Sequence, residues 1–149
     1  MTISYIQIHP ANIQIRRADW GKDQADLANM RRRVFIEEQH VPEELEWDEF
    51  DDTATHFIAS IDNRAIASAR LKPDGQIGRM AVLAEYRHQG VGSRLLYFVL
   101  QSAASLGLKQ VYLHAQLAAL SFYEKQGFKS QGDIFYEADI PHKKMQLKI

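Results

Sequence analysis

The chain has 149 residues, 46% of them hydrophobic and 25% charged, with a formal net charge of -1 and no cysteine. That length and composition predict one globular domain over residues 1–149 with a sizeable core, and they exclude a disordered or disulfide-stapled chain and a thiol nucleophile. A near-neutral chain has no field to hold a nucleic-acid backbone, and no apolar run approaches a membrane span, so neither partner is expected. The N-terminus lacks a charged-then-apolar leader pattern, and a cytoplasmic location is the expectation.

Residues 1–12 read as a loose lead-in, and Ile13 to Arg16 alternate as a first strand. Asp23 is placed to cap a helix running through Leu27, Met30, Val34 and Phe35. Arg31, Arg32 and Arg33 read as the solvated face of that helix, with phosphate binding as the alternative. An acidic segment follows, carrying Glu43, Glu44, Glu46, Asp48, Glu49, Asp51 and Asp52, with Glu38 just upstream. A charge run is ordinarily a solvated loop; its functional alternative is an acidic rim that draws a cationic amine.

His56 to Ile61 and Ala65 to Leu71 read as strands joined by a hairpin turn at Asp62-Asn63-Arg64. A turn at Lys72 to Gly75 feeds a short apolar strand, Ile77 to Leu83, in which Met80 and Val82 point one way and Ala81 the other. Arg87-His88-Gln89-Gly90-Val91-Gly92 comes next. A helical pattern then runs through Leu96, Val99, Ala103 and Leu106 to a stop at Gly107. The glycines therefore sit where a strand turns into the first turn of a helix. Unpaired N–H groups at the positive end of a helix dipole make an anion site there. Residues Gln89 to Ser93 are thus candidates to hold a phosphate or pyrophosphate. A plain tight turn is the alternative, and neither the dinucleotide nor the phosphate-loop fingerprint fits.

Val111 to Ala115 read as a strand and Ala118 to Gln126 as a short helix closed by Gly127. Two further strands, Lys129 to Ala138 and His142 to Lys148, are separated at Ile140-Pro141. The order of elements predicts a mixed α/β sheet in which antiparallel hairpins meet one parallel crossover at the glycine turn. The histidines at 40, 56, 88, 114 and 142 form no i, i+4 pair, so no metal site is expected.

Gln76 to Phe128 resembles the GNAT superfamily of acyl-CoA-dependent N-acetyltransferases. The resemblance rests on Arg87, Gly90 and Gly92 of the turn, and on Phe122-Tyr123-Glu124-Lys125-Gln126-Gly127-Phe128. The Phe35-x-x-Glu38-Gln39 segment, the acidic stretch and His56 look like the ElaA-like branch. The resemblance implies the GNAT fold, a mostly antiparallel sheet flanked by helices, with the fourth and fifth strands splayed around a pantetheine arm. It implies acetyl-CoA as co-substrate and direct transfer of acetyl to a primary amine of a small molecule or peptide. Met80, Ala81 and Val82 would meet the pantetheine, with the Val82 N–H on the thioester oxygen. Arg87, His88, Gln89, Gly90, Val91, Gly92 and Ser93 would wrap the pyrophosphate. Gln116 stands where many relatives carry an asparagine that contacts the cofactor, and Tyr123 is the expected general acid and a cofactor contact. The base is left between Glu38, His114 and a water chain, because Gln76 occupies the place where some relatives have a carboxylate. A non-catalytic acyl-CoA sensor and a partner-binding module on the same fold remain alternatives, and a homodimer is left open.

Overall fold

The computed structural model describes residues 3–149. Seven strands form one sheet in the order β1-β2-β3-β4-β5-β7-β6. These are β1 (Gln14–Ala18), β2 (Thr55–Ile61), β3 (Arg64–Leu71), β4 (Gln76–Val82), β5 (Gln110–Gln116), β6 (Lys129–Glu137) and β7 (Ile140–Lys148). The helices are α1 (Trp20–Arg31), α2 (Glu43–Glu46), α3 (Val91–Ser105) and α4 (Leu120–Lys125). All neighbouring strands run antiparallel except β4 and β5, which α3 connects. This is the mixed sheet that the order of elements predicts.

The β2–β3 hairpin turns at Asp62 and Asn63, both left-handed (φ 50° and 61°), a geometry that short polar side chains tolerate. The last hairpin turns one step earlier than expected, at Ala138 and Asp139 (φ 51° and 63°), and Pro141 lies inside β7. β7 pairs with β5 only as far as His142, so Pro141 has an unpaired edge where its missing N–H costs nothing.

Helix α3 buries Val91, Leu95, Leu96, Val99 and Ala103 at 3.6-residue spacing against β2 and β3. Leu106, expected on that stripe, lies beyond the last turn and is exposed. Helix α1 buries Leu27 and Met30 and continues through Arg32–Glu38 as a wider π-helical stretch that buries Val34. Its N-cap is Asp19, which accepts from the Lys22 N–H at 3.0 Å, rather than Asp23. Asp23 sits in the first turn, where it accepts from the Asp19 N–H and clasps Arg16 of β1.

Two further readings are corrected. Arg31 does not lie on a solvated face: it is 1% exposed and bonds Glu46 (2.7 Å) and Asp51 (2.8 Å). The acidic segment folds back over it, because buried carboxylates and a buried guanidinium offset the cost of leaving water only when they meet, and Arg70 and Arg79 supply the further positive charge. Nor is the lead-in loose over residues 3–12. The Gln89 side chain donates to the Ile6 carbonyl and accepts from the Ile8 N–H, and the Ile6 N–H donates to the Glu85 carbonyl. Residues 1 and 2 lie outside the described part of the chain.

Candidate active site

The site begins with a bulge. Between the pairs Ser68↔Ala81 and Arg70↔Gly78, β3 advances two residues while β4 advances three. The extra residue is Arg79, held at φ 49°. A bulge adds local twist and swings its strand. Accordingly β4 meets β5 only at Gln76↔Tyr112 and Ile77↔Leu113, and past that point the two strands part. The isolated Gly78 within the strand pattern is the signal in the sequence for such a feature.

A cleft of about 1150 Å3 opens where the strands part. Met80 and Val82 line one wall, His114 and Gln116 the other, and Tyr123 lies in it as well. Ala81 does not reach it; its side chain is 2% exposed on the opposite face of β4, as alternation requires. The Leu83 N–H bonds the Ile66 carbonyl, so the alternating ladder turns the Val82 N–H away from β3 and toward the cleft. The Val82 carbonyl accepts from Arg87 Nε at 2.8 Å.

At one end of the cleft α3 begins. Gly90 is its N-cap at φ 83°, with no side-chain cap, so the first-turn N–H groups are left for a ligand. His88, Gly90, Val91, Gly92 and Ser93 all border the cleft. Gln89 does not; its side chain is spent on the lead-in. Arg87 borders the cleft too, with its guanidinium paired to both oxygens of Glu38 at 2.9 Å. Glu38 is not a lining residue, and that ion pair occupies its carboxylate.

Tyr123 projects from α4 between Phe122 and Phe128, edge-to-face at 5.0 and 5.8 Å, and its hydroxyl approaches Met80 Sδ at 3.7 Å. Burial pushes its phenol up to about 12, so at neutral pH it stays protonated and keeps a hydrogen to donate. Gln116 donates to Gln39, which follows the π-helical stretch and also lines the cleft, at 2.8 Å. His114 Nδ1 lies 2.7 Å from Glu137 of β6, a residue the sequence reading did not single out. Nothing in local sequence could have found Glu137, because the contact depends on β7 lying between β5 and β6.

The acidic segment forms the outer wall differently from the expected rim. Glu46, Asp48 and Asp51 are tied into a network with Arg31, Arg70 and Arg79, and Glu43 pairs with Arg32. Of the acids in that segment, Glu44, Glu49 and Asp52 remain exposed without an ion-pair partner among the described residues. His56 closes the network, stacked on Trp20 at 4.6 Å and bonded to the Asp51 carbonyl at 2.8 Å; burial lowers its pKa. Among the described residues no group of three or more His, Asp or Glu side chains could hold a metal ion. No helix there is long and apolar enough to cross a membrane.

A splayed parallel strand pair, a glycine-capped helix start beside it and a buried phenol lining the gap are features of an acyltransferase fold. The family described as Acetyltransferase (GNAT) domain matches residues 17–149, and the chain belongs to it. It is 32% identical over 124 residues to the uncharacterized N-acetyltransferase YjcF of Bacillus subtilis, covering 80% of this chain and 89% of that protein. It resembles the crystal structure of Escherichia coli ElaA with a TM-score of 0.80 and 27% identity, covering 90% of this chain and 98% of that one. An acyl-CoA N-acyltransferase from Pseudomonas aeruginosa is similar at a TM-score of 0.80 and 30% identity, with the same coverage of 90% and 98%.

Proposed function

We propose that the protein transfers an acetyl group from acetyl-CoA directly to a primary amine. The observation that carries this reading is the parting of β4 and β5, which leaves the Val82 N–H, the Tyr123 hydroxyl and the His114 imidazole around one cleft. Direct transfer suits a chain with no cysteine to carry the acyl group. The first-turn N–H groups of α3 hold the pyrophosphate, and the pantetheine runs between the parted strands.

The amine arrives mostly protonated and must lose a proton before it attacks. His114 takes that proton; Glu38, paired with Arg87, is the less suited base. The Val82 N–H donates to the thioester oxygen as charge grows there. Tyr123 donates its hydroxyl hydrogen to the sulfur as the C–S bond breaks, and the second proton, shed by the attacking nitrogen as the amide forms, returns to the phenolate oxygen. Burial keeps that phenol protonated until the sulfur departs.

The test is acetyl-CoA consumption with a panel of polyamines, lysine and amino sugars, on the native protein and on Tyr123→Phe. The variant keeps the ring, so melting temperature and CoA affinity are expected to hold while kcat falls about 100- to 10,000-fold. Equal kcat in two equally stable proteins reduces Tyr123 to a packing residue. CoA binding with no turnover on any amine replaces the enzyme reading with a sensor.

A further inference from the structure

We infer that Glu137 is a positioning residue for the acetyl transfer, holding His114 in the tautomer that leaves Nε2 free to accept the proton of the amine; this rests on His114 being the base. The argument starts from what a carboxylate can do. An ionised carboxylate only accepts, so the 2.7 Å contact from Glu137 Oε1 places the hydrogen of a neutral imidazole on Nδ1. The lone pair is then on Nε2. Without that partner the two tautomers exchange, and a share of the molecules present an N–H where an acceptor is needed.

The ring is also held in plane. Phe135, two residues before Glu137 on β6, meets His114 edge-to-face at 5.0 Å and stacks on His142 at 5.9 Å and 21°. His142 Nδ1 lies 2.6 Å from the Ile140 carbonyl, another pure acceptor, so that nitrogen carries the hydrogen and the ring is fixed in turn. Its Nε2 stands 4.0 Å from the other Glu137 oxygen. Two further charged or titratable groups lie beside His114: Lys144, opposite it on β7, and Tyr112 on its own strand. The Lys144 ammonium sits over the Tyr112 ring at 5.0 Å, so it does not compete for the carboxylate. Gly78, which follows the last β4 residue paired with β5, brings no charge.

A purely structural role explains this arrangement poorly. The Glu137 side chain is 50% exposed and that of His114 29%, and pairs so open to water contribute little to stability. Meanwhile His114, Glu137 and His142 all border the cleft. Strand β5 and the C-terminal hairpin together therefore supply the proton-handling wall, opposite the strand that supplies the N–H donor.

The test uses the native protein, Glu137→Ala, His114→Ala and the double variant. Nitrogen-15 NMR of the His114 ring, at a pH where it is neutral, is expected to show hydrogen on Nδ1 in the native protein and mixed tautomers in Glu137→Ala. With acetyl-CoA and the fastest amine of the panel above, Glu137→Ala is expected to lower kcat by about 10- to 100-fold, as loss of an orienting partner does elsewhere. The KM for acetyl-CoA and the melting temperature should stay put. The double variant should be no slower than His114→Ala, since Glu137 acts only through the imidazole. An Nε2-protonated ring in the native protein, or a full-speed Glu137→Ala beside a slow His114→Ala, overturns the inference and leaves His114 as the base. A full-speed His114→Ala removes the base reading itself, and this inference with it.

Discussion

At the residue scale, the two glycines of the turn do different work. Gly90 is at φ 83°, so any side chain there strains the backbone even though the space around it is open. A Gly90→Val protein would therefore lose affinity for reasons of backbone as much as of ligand. Gly92 has no such constraint, and a Cβ built on it would meet the Phe122 ring at 3.5 Å, an ordinary contact. Packing does not demand a glycine at that position; under the proposed function, a phosphate approaching the backbone does. Gly92→Ala is expected to melt no lower than the native protein, since alanine is the better helix former by up to about 1 kcal/mol. Its CoA affinity should fall about 10- to 100-fold, the value of one charge-assisted hydrogen bond of about 1.5–3 kcal/mol. Calorimetry decides it: an unchanged affinity in the folded variant means the first turn of α3 does not hold the phosphate.

At the scale of elements, α1 is pinned to β1 by one clasp. Both Asp23 oxygens accept from Arg16, at 2.8 and 2.9 Å, and one also accepts from the Asp19 N–H at 2.7 Å. The Arg16 hydrogen bonds hold the Asp23 carboxyl down at about 2. A carboxyl depressed on folding contributes stability that is whole above its unfolded pKa of about 3.9 and fades as pH falls through about 2. Asp23→Asn should thus be less stable than the native protein at neutral pH by no more than about 1 kcal/mol, because Arg16 is largely exposed. The gap should close between about pH 4 and pH 2. Urea melts of both proteins across that range check it, and a gap that stays constant to the lowest pH rules out the clasp as its source.

At the scale of the whole molecule, the buried network under the acidic segment joins parts far apart in the chain. Arg31 of α1, Arg70 of β3 and Arg79 of the β4 bulge share Glu46, Asp48 and Asp51, which lie between α1 and β2. Because Glu46 and Arg79 also border the cleft, the same network fixes its outer wall. Removing one member leaves buried charge uncompensated. Arg31→Met is expected to cost about 3–5 kcal/mol in a denaturant melt. A loss within about 0.5 kcal/mol, the range of an ordinary surface substitution, would mean that Arg31 is in effect solvated.

What the sequence determined by itself is what short-range pattern can carry. Strand and helix positions, the glycine turn before α3 and the Phe122 to Phe128 segment are each set by neighbours within a few residues, through periodicity, turn chemistry and caps. They were legible for that reason, and with them the family. Tertiary structure alone decided the rest. Arg31 looks like its neighbours Arg32 and Arg33 in a window, and only the acids 15 and 20 residues later make it the buried one. The Arg79 bulge becomes a cleft only because β5 is the strand beside it, and Glu137 reaches His114 only across β7. Those outcomes depend on pairing between distant segments, where a side chain gains a partner only after the chain has closed. A linear pattern holds no record of such a partner.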